Sequence, residues 1–477
     1  MWLAAILFEL TACTPQPHEV ASPSRSNATL TRSQVVSDID YALTALADMH
    51  PNLYWRSDPQ DILRLKQELV SQLPEAPSAL TIYLTFLRLT AAFNDAHVGV
   101  TEFPSALMGS GGKSLYQAYR EAGAFPALFD PDADSLRLLA VPSGQPALLP
   151  GDEIVAINGV SAGDLLAGIE GLISGGAQTK HFEARREFSL MLWTQGTKAP
   201  FQVDIGPRGG SAPRALTLPA TTESELAKVA GEDWRGPIEY RLLEDRIGLI
   251  TFHEMTEPLD RFAKRLGEIF DQMATDHPTG LIIDIRRNDG GNSGLGDLLL
   301  AFVNDTPYRP FAERQWKVSR TCQDWYGATD GQERRYFNDY LAASAGQNLV
   351  SKQLPTRRVR DVARIYDGPV AALIGPGTIS SAAILADAMK TFHLAKIFGK
   401  PISEPANMYG EVCQKTLPQT GVRIGAPSAL FIRANGDAMS KDPIVPDVPI
   451  GSDSAGSSSD PDLDAARHWL KSQVGAS

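Results

Sequence analysis

The chain has 477 residues, of which 43% are hydrophobic and 21% charged, a balance that excludes a disordered chain. Its length suggests about three domains. A formal charge of -12 argues against nucleic acid as the main partner, which would need a basic surface. Beyond the N-terminus no segment has the apolar length to span a bilayer.

Residues 1–13, MWLAAILFELTAC, read as an export signal. Trp2 to Phe8 is apolar, and Leu10-Thr11-Ala12-Cys13 has the form of a lipobox, which makes Cys13 a lipidation candidate. No Lys or Arg precedes the run and Glu9 interrupts it, so an uncleaved apolar N-terminus and an upstream start codon stay open. Residues 14–32, rich in Pro and Ser up to Asn27, suit a flexible tether. Cys322 and Cys413 remain; in an exported protein they could pair, and two free buried thiols are an equal alternative.

Residues 33–100 read as a helical unit. Val36, Ile39, Leu43 and Leu46 recur at helical spacing, as do Ile62, Leu65, Leu69 and Leu73, with prolines between. A third helix around Tyr83, Phe86 and Phe93 runs into Asn94-Asp95-Ala96-His97-Val98-Gly99-Val100. His97 lies just past that helix, with a carboxylate two residues away, and is available as a base. Residues 101–222 rise in Gly and Pro, and short strands are expected to replace helices. Within them Pro150 to Gly159, PGDEIVAING, forms a tight turn, a strand and an Asn-Gly hairpin turn.

After a linker at 223–240, strands alternate with helices, which predicts an α/β layer structure. Arg246 to Phe252 is a strand, and a helix follows with Phe262, Leu266, Ile269, Phe270 and Met273 on one face. Gly280 to Ile285 is a buried strand entering the polar turn Arg286-Arg287-Asn288-Asp289-Gly290-Gly291-Asn292. Paired glycines there let N–H groups face a cavity, as in an oxyanion hole, or make a plain turn. Residues 305–365 show few signals and read as an insertion. Val370 to Ile374 is a strand broken by Gly375-Pro376-Gly377. From Ser381 a helical face carries Ala382, Leu385, Ala386 and Met389, and Leu394 to Phe398 is the next strand. Ser380 and Ser381 thus sit where a strand becomes a helix. A serine there either caps the helix or serves as a nucleophile beside unpaired N–H groups. Strands at Gly421 to Ile424 and Ser428 to Arg433, then Ile444-Val445-Pro446-Asp447, precede a Ser/Gly/Asp-rich stretch and a last helix.

Taken in order, DAHVGV, PGDEIVAING, LIIDIRRNDGG, TISSAAILADAMK with AKIFGKP, and IVPD resemble the tail-specific, or C-terminal-processing, serine protease family. Its relatives include the tricorn core and interphotoreceptor retinoid-binding protein. The resemblance implies an α/β, crotonase-like catalytic domain at 235–450, a β-rich PDZ-like domain at 101–222, the N-terminal helical domain at 33–100, and a tail at 451–477. It implies a metal-independent serine endopeptidase acting on protein or peptide substrates of the bacterial envelope. No cofactor is expected, and membrane contact only through the N-terminal lipid. Ser380 matches the family nucleophile, although the Glu of the family's Ser-x-x-Glu string is Ala383 here. The position that holds a catalytic Lys in the processing branch is Pro405, and Lys396 and Lys400 do not match it. Asp95-Ala96-His97 matches the Asp-x-His string of the tricorn-like branch, which makes His97 the expected base, with His253 second. Gly290, Gly291 and Ser381 are the expected oxyanion donors, and Glu404, Glu411 or Asp442 the acid that orients the histidine. The departures also motivate an alternative, a non-catalytic envelope binder that retains the fold.

Overall fold

A computed structural model describes residues 30–102, 107, 113–144, 147–206, 212–230, 236–329, 331–356, 365–451 and 460–474. The export signal, Cys13 and all but the end of the tether lie outside the described residues. Three helices open the described chain: α1 (Arg32–Met49), α2 (Pro59–Gln72) and α3 (Ala79–Ala91). Thr31, Asp58 and Ser78 cap them by accepting backbone N–H groups, and Pro59 starts α2 where no N–H is missed.

The middle of the chain runs through β1 (Gly99–Val100), α4 (Leu115–Ala122), β2 (Leu128–Phe129), β3 (Leu138–Ala140), β4 (Ile154–Ile157), β5 (Val160–Ser161), α5 (Ala162–Glu170), α6 (Ala177–Arg186), α7 (Phe188–Thr194), β6 (Phe201–Ile205) and β7 (Arg214–Leu218). Strands β5-β4-β6-β7 form an antiparallel sheet. Asn158 and Gly159 turn its hairpin with φ of 50° and 78°. The expectation that strands replace helices here is corrected, because four helices share the segment with them. Helix α7 is buried on every side and α6 is largely polar, so neither shows the one-sided apolar stripe that marks a surface helix.

The chain continues through α8 (Glu223–Ala230), β8 (Ile238–Leu242), β9 (Ile247–Phe252), α9 (Leu259–Asp276), β10 (Gly280–Asp284), α10 (Ser293–Val303), β11 (Glu313–Lys317), α11 (Arg320–Gly327), α12 (Gly331–Tyr336), α13 (Asn338–Ala342), β12 (Asn348–Lys352), β13 (Val370–Ile374), α14 (Ser381–Thr391), β14 (Lys396–Gly399), β15 (Met408–Thr416), β16 (Arg423–Ile432), β17 (Val448–Pro449) and α15 (Pro461–Val474). The central sheet has the order β17-β14-β13-β10-β9-β8, parallel except for β8. Its inner strands β9, β10 and β13 are largely apolar and buried, because both faces are covered, whereas the edge strand β8 carries Glu239 and Arg241. Ile247, Leu249, Ile282, Ala371, Leu373 and Phe398 pack on Ala466 and Leu470 of α15. The alternate residues, among them Ile250, Ile283, Ala372 and Ile397, belong to the main core.

A second sheet is built on β16, which pairs with β15 along one edge and with β1 and β11 along the other. The segment expected to be an insertion supplies β11 and β12 to it. The two strands expected at 421–433 are one, because β16 runs unbroken for ten residues. Cys322 at the start of α11 and Cys413 on β15 form a disulfide with Cα atoms 5.2 Å apart.

Candidate active site

The strand-to-helix turn after β13 presents Ser380. Thr378 Oγ1 donates to the Ile285 carbonyl (2.8 Å) and Ile379 N–H to the Asn288 carbonyl (3.0 Å), so the turn after β10 grips the turn after β13. Ser380 takes the N-cap position of α14 with φ 55° and ψ -123°, and its side chain makes no capping hydrogen bond. A non-glycine residue held there carries strain on the order of 1–3 kcal/mol, which the surrounding hydrogen bonds must hold in place. The effect is to turn the hydroxyl away from its own helix. Ser381, the other serine of the pair, donates its hydroxyl to the Gly291 carbonyl at 2.5 Å.

His97 arrives from the N-terminal unit. Asp95 Oδ1 accepts the His97 N–H at 2.8 Å, closing a tight turn after α3. Two residues on, Gly99 and Val100 pair with Gly425 and Ile424 of β16. Pinned at both ends, His97 sets its Nε2 3.1 Å from Ser380 Oγ, across 283 residues of chain. Both side chains are buried. Burial lowers the His97 pKa, while the charges of Asp95 and then Glu404 pull it up.

Asp95 is itself held by three donors. Besides the His97 amide it receives Trp55 Nε1–H at 2.8 Å and His50 Nε2 at 3.2 Å. His50 Nδ1 accepts the Asn52 N–H, so its proton sits on Nε2 and points at Asp95. Burial pushes the Asp95 carboxyl up, but the hydrogen bond and charge of His50, with those of His97, outweigh it and hold it at about 2. Asp95 Oδ1 lies 4.0 Å from His97 Nδ1. The ring of Tyr409 packs at a tilt against both His50 and Trp55.

Of the three expected orienting acids, Glu404 comes nearest in effect. It accepts Arg56 Nη1 (2.6 Å), Thr179 Oγ1 (2.6 Å) and the Gly176 N–H (3.1 Å), joining the N-terminal, middle and central units beside His97. Glu411 instead accepts from Arg314 and Tyr336 and is partly buried. Asp442 is exposed, and its carbonyl accepts from Ala406. His253 faces Glu239 at 3.8 Å in a second cavity at the carboxyl ends of the central strands. Lys400 pairs with Asp132, and the charge of Lys396 acts on Asp447. Asn407 ties down the 433–440 loop.

The Gly290-Gly291 turn lies against Ser380. A Cβ on Gly290 (φ 94°) would meet Ser381 N at 2.7 Å and Ser380 Cβ at 2.8 Å, and one on Gly291 (φ 127°) would strike the Met255 carbonyl. Gly290 as an oxyanion donor is corrected: its N–H donates to Asn288 Oδ1 at 2.9 Å. Ser381 opens α14, where the first N–H groups lack intrahelical acceptors. Ser380 and His97 open on a cavity of about 150 Å³ that is largely apolar, with Glu183, Arg186 and Asp289 in its wall. Sequence reasoning missed the residues of α6. Their signal was the i, i+3 pair Glu183 and Arg186, set in a stretch read as strands and turns.

Residues 246–450 match the sequence profile of peptidase family S41. No curated protein matches the chain. Among solved structures, mature CPAF is similar at 16% identity and a TM-score of 0.61, with 93% of this chain and 96% of that one covered. Mature CPAF complexed with lactacystin is similar at 15% identity and a TM-score of 0.60, covering 93% and 98%. These likenesses establish a shared fold over nearly the whole chain. Family profile, fold and site together identify the chain as carrying, at residues 246–450, a domain of peptidase family S41, the tail-specific serine protease family.

Proposed function

We propose that this protein is a serine endopeptidase with Ser380 as nucleophile and His97 as general base. The observation that carries the reading is the 3.1 Å contact between His97 Nε2 and Ser380 Oγ, inside a cavity and on a strained serine with no capping role. In this reading Nε2 takes the hydroxyl proton as Oγ attacks a peptide carbonyl. The Asp95 charge steadies the imidazolium that forms, and Glu404 adds to it. The N–H groups of Gly291 and Ser381 are the donors for the oxyanion. His97 then returns the proton to the leaving amine, and water hydrolyses the acyl-enzyme. Every charge that develops meets a protein group, so the sequence of steps uses no metal. Protein or peptide substrates follow from the peptidase family.

The parallel central strands with a nucleophile at a helix start support a crotonase-like catalytic domain. The β4–β5 hairpin, α5 and the closing strands β6 and β7 support a PDZ-like middle unit, which would bring peptide termini by strand addition. Export with a lipid on Cys13 completes the reading, and the Cys322–Cys413 disulfide fits an oxidising compartment. Cys13→Ser should move the protein from the membrane fraction to the soluble envelope fraction; a wild-type protein already soluble there removes the lipid anchor from the reading.

The test is labelling with a fluorophosphonate probe. Wild type should label at Ser380 and Ser380→Ala should not. Absence of labelling in folded wild type would leave the alternative, a binding protein that retains the fold.

A further inference from the structure

Helix α6 reaches from the middle unit into the cavity on which Ser380 and His97 open, and the groups it brings are only partly satisfied. Glu183 is 6% exposed. Its Oε2 accepts Arg186 Nε at 2.9 Å, whereas Oε1 is buried with no hydrogen-bond partner. Asp289, in the turn just before Gly290, repeats the pattern. One oxygen accepts Arg186 Nη1 at 2.8 Å and the other, Oδ2, is buried and unpaired. A buried acceptor without a donor costs about 1–3 kcal/mol, more when charged. Two such oxygens on either side of one guanidinium are a standing demand for donors.

The charges agree. Two carboxylates share one arginine, which leaves the trio one negative charge in excess whenever Glu183 is ionised. The strain shows on Glu183: burial pushes it up to about 7, and Asp289 adds to a rise that Arg186 only partly offsets. The rest of the wall is mostly apolar, with Leu87, Val100, Leu172, Ile173 and Met191, and it adds one more acid, Glu187, whose charge also acts on Arg186. A mostly apolar cavity with under-compensated carboxylates in its wall suits a long aliphatic stem with a cationic head. An ammonium brings three donors and no acceptor, whereas a guanidinium would set a second planar fork against Arg186.

Resting on the peptidase reading, we propose that this cavity is a specificity pocket for a lysine-like side chain of the substrate, whose ammonium is received by Glu183 and Asp289. Both acids are then specificity residues, and α6 is the element that makes the middle unit part of substrate selection.

The test measures binding to Ser380→Ala of octapeptide pools, each with Lys or norleucine fixed at one position. The pocket requires one position at which the Lys pool binds at least tenfold more tightly. Glu183→Gln in the same background should bring that ratio close to one, and Asp289→Asn should reduce it independently should the first variant fail to fold. Absence of any position that favours Lys over norleucine, including absence of binding by every pool, overturns the proposal. So does a Lys preference that survives both substitutions. Binding to Ser380→Ala does not depend on turnover. Fluorophosphonate labelling of wild type, run alongside, therefore reports separately on the peptidase reading.

Discussion

In the proposed mechanism Ser380 and His97 carry the chemistry, and the surroundings of His97 give a measurable consequence. Burial lowers the His97 pKa, so its neutral, proton-accepting form persists to lower pH than an ordinary histidine allows. The acid limb of kcat/KM against pH should therefore have its midpoint below 6.5, the ordinary value. Asp95→Asn removes the largest influence raising that pKa, so the midpoint should fall further while the rate drops; an unmoved limb would take Asp95 out of the base's environment. His97→Gln should lose about a thousandfold or more in kcat/KM. Lys396→Ala and Lys400→Ala should stay within about threefold of wild type, since Lys400 pairs with Asp132 and the charge of Lys396 acts on Asp447. Asp95 also links pH to stability. Its folded pKa of about 2 lies below the ordinary 3.8, so it stabilises the fold fully above 3.8. That contribution, on the order of 2 kcal/mol, is lost as pH falls from 3.8 towards 2.

The elements at the site are two turns locked together, one after β10 and one after β13. Asn288 is the lock. Its carbonyl takes the Ile379 N–H, its Oδ1 takes the Gly290 N–H, and its Nδ2 reaches the Phe252 carbonyl at 2.9 Å. Gly290 is required for a different reason, since its positive φ and the closeness of Ser380 leave no room for a Cβ. Gly290→Ala should therefore displace Ser380 and cost at least about a hundredfold in kcat, in line with small misplacements of reacting groups. Circular dichroism should show the fold retained. A Gly290→Ala enzyme with wild-type kcat would mean that the two turns are not held as tightly as these contacts require.

At the scale of the molecule, the site is assembled from three parts of the chain that could not make it alone. Ser380 belongs to the central sheet, His97 to the end of the helical unit, and the cavity wall to α6 of the middle unit. Glu404 bonds to Arg56 and to Thr179, and so ties all three beside the histidine. The disulfide closes a further long loop, with its cysteines 91 residues apart. Replacing both cysteines by serine should cost about 2–5 kcal/mol of stability, because a long loop constrains the unfolded chain strongly. Chemical denaturation of oxidised wild type and the double variant should differ by that amount; equal midpoints would show that the crosslink adds nothing to the fold.

Local signals were enough for much of this. The central strands are apolar runs of strand length, α9 carries a single apolar face, and the Asp-Ala-His and Ile-Ser-Ser strings sit at recognisable breaks between elements. That α14 is a helix followed from the spacing of Ala382, Leu385, Ala386 and Met389, but not that it is buried all round from Ser381 to Met389. Other features had no local signature. That Gly290 spends its N–H on Asn288 while Ser381 spends its hydroxyl on Gly291 depends on where two distant turns meet. The role of Asp95 depends on His50 and Trp55 folding over it, and α6 became a cavity wall only by docking across the chain. Periodicity and turn chemistry are properties of neighbours in sequence. Hydrogen-bond partners and electric fields are properties of neighbours in space, and here only the packed chain decides who those are.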